Sequence, residues 1–491
     1  MPLSRRQVLA TAAVATVGIA VGGCDRQPGR GRVGPSSPAV QATEARRRRA
    51  GAPVRQVALT AAPVTLELAG RPIATWAYNG NVPGPVVRVR AGEVLRARLD
   101  NRLPEATTIH WHGVALRNDM DGVPEVTQAP VQPGGHFTYE FTVPTPGTYF
   151  FHPHVGLQLD RGLYAALVVE DPDEPGRYDG EAVVVLDDWT DGLGPSPAAI
   201  MASLQRSGGM SMDDMMRGMT AAGGQLGGAG GEVNYPRYLL NGRPPEDPAT
   251  LAARPGQRLR LRLINAAADT AFRVAVGGHR LQVTHSDGYP LDPVTVDALL
   301  MGMGERYDLL VDLHEGVFPL VAVAEGKRGQ ARGLLRAGRG TPPPARARPT
   351  ELDGRLLDPA RLRADPAVAL GSRSPDRTHR LTLSGGMGEF RWTINGRTFD
   401  PDRPLPLRAG ERTRLVFENP SMMFHPMHLH GHTFAVQHPT GAGPRKDTVI
   451  VAPMQRLAVD LDADNPGQWV VHCHNLYHME AGMMTSLAYL A

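Results

Sequence analysis

Short apolar runs separated by turn residues fill most of the chain, and apolar and polar residues alternate within them. Residues 94–99 and 259–263 are two clear examples. Alternation with a period of two predicts strands with one buried face. The chain has 56 glycines and 44 prolines, which is typical of turn-rich all-β proteins and disfavours helical bundles. The pattern therefore predicts half-buried strands packed as β-sandwiches.

One arrangement of residues occurs three times along the chain. An Asn-Gly pair precedes a turn glycine, an alternating strand and a second asparagine. In each copy that asparagine comes nine residues after the turn glycine. The pairs begin at Asn79, Asn241 and Asn395, the glycines are Gly92, Gly256 and Gly410, and the asparagines are Asn101, Asn265 and Asn419. Each copy also has a later glycine that is followed by an apolar strand: Gly147 in the first, Gly316 in the second and Gly467 in the third. The repeat predicts three β-sandwich domains.

Polar and Pro-rich stretches mark the boundaries that we expect between these domains. The predicted ranges are 53–172 for domain 1, 173–340 for domain 2, 341–375 for a linker and 376–491 for domain 3. Domain 2 is interrupted by a Gly- and Met-rich insert, residues 208–231, which we expect to be a loop.

The first residues have the features of an export signal. Arg5-Arg6 precedes an apolar stretch, residues 8–23, that is shorter than the roughly 20 residues needed to span a bilayer. The arginine pair resembles a twin-arginine signal, and the residues ending in Cys24 resemble a lipobox whose cysteine is acylated. We expect a signal over 1–23, a flexible basic tether over 24–52, and a lipoprotein of the cell envelope on the periplasmic side. A plainly cleaved signal with an incidental Cys24 is the alternative.

Charge and cysteine content narrow the possible functions. The formal net charge is +3, and nine arginines lie in the first 52 residues, so the rest of the chain is slightly acidic. A nucleic-acid-binding protein would need a basic folded domain, and we expect no such partner. We expect the protein to be a monomer.

Of the two cysteines, Cys24 lies in the leader. Cys473 is therefore a free thiol or a ligand, and no disulfide is expected within the folded body.

Copies one and three of the repeat carry paired histidines at matching positions. Nine and eleven residues after the shared asparagine are His110 and His112 in copy one and His428 and His430 in copy three. Five and seven residues after the later glycine are His152 and His154, and His472 and His474. Copy two has valines at all four positions. Alternate residues of a strand point the same way, so each pair can present two imidazoles to one cavity. A single such pair is commonly a polar strand face, but four pairs in register with a repeat predict a metal site.

Copy three adds a second set of ligands. His425, Cys473, His478 and Met483 supply two imidazoles, a thiolate and a thioether, the ligands of a blue-copper electron-transfer site. Zinc also binds Cys and His, but a zinc site does not require eight further paired histidines. Copper is therefore the predicted metal.

At these residues the chain resembles the multicopper oxidases, most closely the exported three-domain bacterial branch linked to copper resistance. The resemblance runs from about residue 75 to the C-terminus. It implies three cupredoxin-like, Greek-key β-sandwich domains and four copper ions: one type 1, one type 2 and two type 3. Its ligands would be His425, Cys473, His478 and Met483 for type 1, His110 and His428 for type 2, and His112, His152, His154, His430, His472 and His474 for type 3.

Electron and proton transfer follow from this resemblance. Because Cys473 is bonded through one peptide on each side to His472 and His474, an electron on the type 1 copper has a short covalent route to the other coppers. Asp121 matches the family's acidic residue near the cluster, a proton donor for dioxygen reduction; a plain turn residue is the alternative. Some family members have an acid directly after the last type 1 histidine, whereas this chain has Met479 there and Glu480 one residue later. The proton path on that side stays open.

The family takes single electrons from a reductant and reduces dioxygen to water, so the reductant is the remaining question. Soft thioethers select Cu(I), and five methionines lie close together in the insert: Met210, Met212, Met215, Met216 and Met219. We expect oxidation of Cu(I) in copper detoxification. The alternatives are a laccase-like oxidase of phenols or aromatic amines, a copper-binding or structural protein without turnover, and an insert whose methionines play no part.

Overall fold

A computed structural model gives the fold for residues 31–171, 173–174, 178–208, 226, 230–386, 388–438 and 441–491. Within these ranges the chain forms three pairs of β-sheets, one pair for each copy of the repeat. Apolar side chains are buried between the two sheets of each pair. The predicted all-β, three-domain architecture is confirmed.

Domain 1 contains sheets of strand order β2-β1-β4-β6 and β3-β8-β7-β5. Its strands are β1 (Val54–Leu68), β2 (Arg71–Tyr78), β3 (Val87–Arg90), β4 (Val94–Asn101), β5 (His110–His112), β6 (His136–Thr142), β7 (Gly147–His152) and β8 (Ala165–Glu170).

Domain 2 contains the strands β9 (Gly180–Trp189), β10 (Arg237–Leu240), β11 (Ala249–Ala253), β12 (Arg258–Asn265), β13 (Phe272–Val276), β14 (Leu281–Ser286), β15 (Tyr289–Val296), β16 (Ala298–Met301), β17 (Arg306–Asp312), β18 (Gly316–Ala324) and β19 (Gln330–Ala337). They form sheets of order β10-β9-β12-β17-β14-β15 and β11-β19-β18-β13-β16.

Domain 3 contains the strands β20 (Arg377–Gly385), β21 (Trp392–Ile394), β22 (Leu405–Leu407), β23 (Arg412–Glu418), β24 (His425–Leu429), β25 (Phe434–His438), β26 (Gly441–Lys446), β27 (Thr448–Val451), β28 (Arg456–Asp462), β29 (Gln468–Cys473) and β30 (Met484–Tyr489). Its sheets have the orders β21-β20-β23-β28-β25-β26 and β22-β30-β29-β24-β27.

Helices are short and few in the part of the chain that the structure describes. The α-helices are α1 (Pro38–Arg47), α2 (Pro197–Ser207) and α3 (Leu476–Glu480), and the 3₁₀ helices are Asn118–Met120, Leu159–Arg161, Thr350–Asp353 and Pro359–Arg361. Among the described residues, no helix has both the length and the apolar character that crossing a bilayer requires.

The asparagines of the repeat explain why the three domains fold alike. Asn101 and Asn265 end β4 and β12, Asn419 directly follows β23, and all three are buried. Each side-chain oxygen accepts a hydrogen bond from the backbone N–H two residues on, and each side-chain amide donates to carbonyls of neighbouring loops. Such Asx turns replace ladder hydrogen bonds where a strand ends. The same turn thus leads towards β5, β13 and β24 in the three domains.

The two strands chosen above for their alternation differ in burial. In β4 the side chains of Arg96 and Arg98 are exposed while the apolar residues are buried, as predicted. In β12 the expectation of an exposed polar face is wrong, because Arg260 and Arg262 are only 3% exposed. Both guanidiniums donate to Asp308, and Arg262 also donates to Thr148 of domain 1. The polar face of β12 is therefore an ion-paired contact between domains.

The prediction of a flexible tether over 24–52 is wrong for the part of it that the structure describes. Residue Val33 donates its N–H to the carbonyl of Tyr489 in domain 3, and α1 follows with Ser37 as its N-cap. Glu44 of α1 is buried and accepts hydrogen bonds from the N–H and hydroxyl of Thr142 in β6, each at 2.8 Å. The segment is fixed to the folded body because the carboxylate of Glu44 accepts hydrogen bonds from two donors on domain 1.

Candidate metal centre

The predicted histidines lie where β5 and β7 of domain 1 meet β24 and β29 of domain 3. Antiparallel pairing places His110 opposite His152 and His428 opposite His472. The Nε2 atoms of His110 and His428 are 3.4 Å apart, so the two domains face each other directly here. All eight paired histidines are buried. The structure therefore brings all four His-x-His pairs into one cluster.

The family resemblance implies two triads and a pair among the eight imidazoles, and the rings of each group lie close together. The shortest centroid distances, 3.6 Å between His110 and His430 and 3.7 Å between His112 and His428, join different groups. His112, His152 and His474 form one triad, with separations of 4.9, 5.3 and 5.9 Å. His154, His430 and His472 form the other, with separations of 5.1 to 5.2 Å. His110 and His428 remain as a pair at 5.6 Å. Each group takes rings from both domains, so neither domain could assemble one alone.

The thiol site lies beside this cluster within domain 3. The Nδ1 atoms of His425 and His478 are 3.1 Å apart, and Cys473 Sγ lies 3.6 and 3.7 Å from them. Met483 is fully buried; its N–H donates to the carbonyl of His478, and its carbonyl accepts from the N–H of Cys473. The indole of Trp392 packs against both imidazoles. The four predicted residues are thus neighbours in a buried site.

Comparison with known proteins agrees with this geometry. Family models described as multicopper oxidase match residues 60–174, 181–339 and 372–490. The Multicopper oxidase MmcO of Mycobacterium tuberculosis is 48% identical over 477 residues, which cover 96% of this chain and 94% of that protein. The chain belongs to the multicopper oxidase family.

Further relatives of this multicopper oxidase are similar over nearly the whole chain. A Copper resistance protein A homolog of Pseudomonas syringae pv. tomato is 30% identical, over 87% of this chain and 90% of that one. The crystal structure of a multi-copper oxidase from Pseudomonas thermotolerans is 29% identical, with a TM-score of 0.68, and the match covers 89% of this chain and all of that one. The cupredoxin-like fold and an oxidoreductase that uses copper, dioxygen and a reductant follow from membership of the family.

The imidazoles of this multicopper oxidase fit copper because each triad contains buried ring nitrogens that have no hydrogen-bond partner in the protein and could bind a metal ion. The Nδ1 atoms of His152 and His472 contact backbone carbonyls, and the Nδ1 of His430 contacts Asp121. Within the two triads, the buried nitrogens without a hydrogen-bond partner are His112 Nδ1, His152 Nε2, His154 Nε2 and both nitrogens of His474. A metal-binding imidazole typically has one nitrogen held by a protein partner and the other turned to the ion. The donor set is thus the one that copper binds.

Burial keeps most of these rings in the neutral form that binds metal. It lowers the pKa of His154 to about 3 and, with the neighbouring imidazole of His478, lowers the pKa of His425 well below its usual range. His478 differs: burial lowers its pKa, but the carboxylate of Glu232 and the thiol of Cys473 outweigh this and raise the pKa to about 10. Glu232 therefore interacts electrostatically with the thiol site.

Asp121 lies inside the cluster, where it contacts both the pair and one triad. Its Oδ2 is 2.9 Å from His430 Nδ1, and its Oδ1 is 3.2 Å from His110 Nδ1. Its side chain is fully buried. It is therefore well placed to orient the two rings, and its role as a proton donor stays a prediction. On the other side, Met479 is buried while Glu480 is exposed.

Three residues of the centre were missed by sequence reasoning. Asp447 Oδ1 lies 3.2 Å from His112 Nε2 and 3.4 Å from His428 Nδ1, Arg306 of domain 2 donates to Asp447, and both oxygens of Glu232 lie 3.0 Å from His478 Nε2. One signal was available for Asp447: the charged pair Lys446-Asp447 directly precedes the apolar strand β27.

The five methionines of the insert, Arg5-Arg6 and Cys24 lie outside the described residues.

Proposed function

We propose that this multicopper oxidase oxidises Cu(I) to Cu(II) and couples this oxidation to the four-electron reduction of dioxygen to water. Its role would be copper detoxification in the cell envelope. The support comes from the side chains at the thiol site and from the chemistry of the insert that precedes Glu232 in the sequence.

The proposed copper ligands follow the groups of rings described above. A type 1 ion would be held by His425, Cys473, His478 and Met483, and a type 2 ion by the pair His110 and His428. Each of the two triads would hold one type 3 ion. The chemistry that copper supplies there, when bound, is the acceptance of single electrons from a reductant and their delivery to dioxygen.

The chain itself connects the two parts of the centre. Cys473 belongs to the thiol site, while its neighbours His472 and His474 belong to different triads. One peptide bond on each side therefore joins the thiol site to both triads. Asp121, in contact with His110 and His430, would hold a proton close to where dioxygen is reduced.

The observation that carries Cu(I) as the substrate is the position of Glu232. Its carboxylate contacts the outer nitrogen of His478, and its backbone N–H donates to Asp269 at 3.4 Å. Asp269 in turn accepts from Lys327 and from Asn475 at the start of α3. The chain enters this position from the Met-rich insert, residues 208–231. Thioethers are soft ligands that select Cu(I), and the carboxylate attracts any cation. A phenol can donate its O–H to a carboxylate, so the thioethers would be the groups that distinguish Cu(I) from a phenol.

The test compares oxygen uptake with Cu(I) and with a phenol. Changing Met210, Met212, Met215, Met216 and Met219 to Ser, or Glu232→Gln alone, should raise the apparent KM for Cu(I) by about tenfold or more, equivalent to roughly 1.4 kcal/mol. Phenol oxidation should be kept or improved in the methionine variant. Met454→Ser is the matched control because Met454 is 70% exposed on domain 3. Cu(I) kinetics equal to wild type in both variants would exclude the proposed substrate site, and turnover of phenol alone would favour a laccase-like oxidase.

A further inference from the structure

Domain 2 contributes no histidine to the cluster, yet one of its turns is inserted against it. The turn joins β16 to β17, and Gly304 at its centre has a φ of +84°. A Cβ atom at this glycine would lie 2.9 Å from His474 Cδ2 and 3.0 Å from His112 Cε1. Such contacts are too close for any side chain. The turn therefore packs directly on two rings of one triad.

Arg306, which follows this turn, binds a carboxylate of domain 3. It is fully buried, and its Nη1 and Nη2 donate to Oδ1 and Oδ2 of Asp447, each at 2.6 Å. Its Nε donates to the carbonyl of Thr148 in domain 1, at 3.2 Å. The guanidinium thus links all three domains at one point. The planar two-pronged geometry of arginine holds a carboxylate in a fixed orientation, which lysine cannot do.

Asp447 passes this orientation to the imidazoles. Its Oδ1 lies near His112 of a triad and His428 of the pair, as given above, and accepts from the hydroxyl of Thr448 at 2.8 Å. Its backbone carbonyl is the nearest partner of His428 Nδ1, at 3.0 Å. That hydroxyl is itself 3.1 Å from His112 Nε2 and 3.1 Å from His428 Nδ1. Both rings are therefore held on the side opposite to their free nitrogens.

The charges around Asp447 leave Arg306 as the cation that pairs with its carboxylate. Lys446 is the other buried cation here, and its Nζ lies 3.1 Å from Asp287 and 3.0 Å from Glu305. It is occupied by those two acids. Arg306 therefore supplies the bidentate partner of Asp447 within the described residues around it.

We propose that Arg306 is a positioning residue of the copper centre, through which the copper-free second domain sets the orientation of His112 and His428. Because Asp447 would turn or recruit water without its partner, the two imidazoles would lose the fixed tautomer and ring angle on which tight metal binding depends. The proposal rests on the copper assignment made above.

Copper retention tests the proposal without relying on activity. Wild type, Arg306→Met and Arg306→Lys, each loaded with copper, are dialysed against a graded series of chelator concentrations. Copper per protein, the blue absorption and the type 2 electron paramagnetic resonance signal are then measured. Arg306→Met should keep the blue absorption and lose copper from the triads and pair at about 10- to 100-fold lower chelator concentration. Arg306→Lys should recover part of this loss.

Arg260→Met is the matched control because Arg260 is also a buried, domain 2 arginine that donates through two nitrogens to a buried aspartate, Asp308. It should retain copper as wild type does. Equal retention in Arg306→Met and Arg260→Met would overturn the proposal. A wild type that never binds four coppers would instead refute the copper assignment itself.

Loss of folding is tested separately. If Arg306→Met is colourless, the double variant Arg306→Met with Asp447→Asn is compared with Asp447→Asn alone, since neither variant leaves a buried carboxylate without its cation. Because Arg306 acts through Asp447, the arginine change should cause no further loss of copper once Asp447 is Asn. A further loss of about 10- to 100-fold in the double variant would overturn the proposal.

Discussion

At the scale of single residues, Cys473 has the strongest predicted effect. Its Sγ lies within 3.7 Å of the Nδ1 atoms of His425 and His478, and the thiolate is the ligand that distinguishes a blue-copper site. Cys473→Ser should therefore be colourless and should not consume oxygen with Cu(I) or with a phenol. The β-sandwiches should stay folded, because serine is smaller and its hydroxyl can hydrogen-bond to either imidazole. Visible absorption and circular dichroism check both statements; a blue variant would contradict the assignment.

The residues of the centre differ in how far the sequence could predict them. The eight paired histidines and Cys473 follow a repeat and have a distinctive chemistry, so their positions could be counted. Asp447 and Glu232 are acids like many others in the chain, and Arg306 lies in the domain without ligands. Their importance arises from contacts across domain boundaries, which depend on how three sandwiches pack together and not on any local pattern.

At the scale of elements, the alternation of apolar and polar residues predicted where strands form, but not how they pair or what covers their polar faces. The Asn-Gly turns form as expected, with positive φ at Asn79, Asn241 and Asn395, where Asn and Gly are favoured. Counting along domain 2, however, aligns Val274 with Val321, whereas β13 pairs Val274 with Ala322. Domain 2 has no metal ligands at these positions, so a one-residue difference in strand register does not disturb a binding site there. The burial of β12 was also missed, because alternation shows which face is polar but not what covers it.

Helix α1 gives a prediction that concerns one element. Glu44→Gln weakens its attachment, since the carboxylate accepts from two buried donors of Thr142 and charged hydrogen bonds of this kind contribute about 1.5–3 kcal/mol each. The free energy of unfolding in urea should fall by about 1–3 kcal/mol. Glu67→Gln is the control because Glu67 is exposed on β1. Equal unfolding midpoints for the two variants would show that α1 is not bound to domain 1 in solution.

At the scale of the whole molecule, the docked N-terminal segment changes where a lipid anchor would hold the protein. A free tether over 24–52 could extend to about 100 Å, at roughly 3.5 Å per residue. Because Val33 already bonds to Tyr489, only residues 25–32 separate Cys24 from this contact, and they can span at most about 30 Å. An acylated Cys24 would thus keep the end of β30 close to the membrane.

We therefore propose membrane attachment through Cys24 on the outer side of the cytoplasmic membrane, and expect Cys24→Ala to release the protein into the soluble fraction. The acyl chain would provide the attachment, since a lipid chain adds about 0.8 kcal/mol for each buried CH₂. Cell fractionation with immunodetection measures the distribution. Cys473→Ser, which changes the other cysteine, is the control and should stay with the membrane. A wild-type protein that is soluble and begins downstream of Cys24 would show that the signal is simply cleaved.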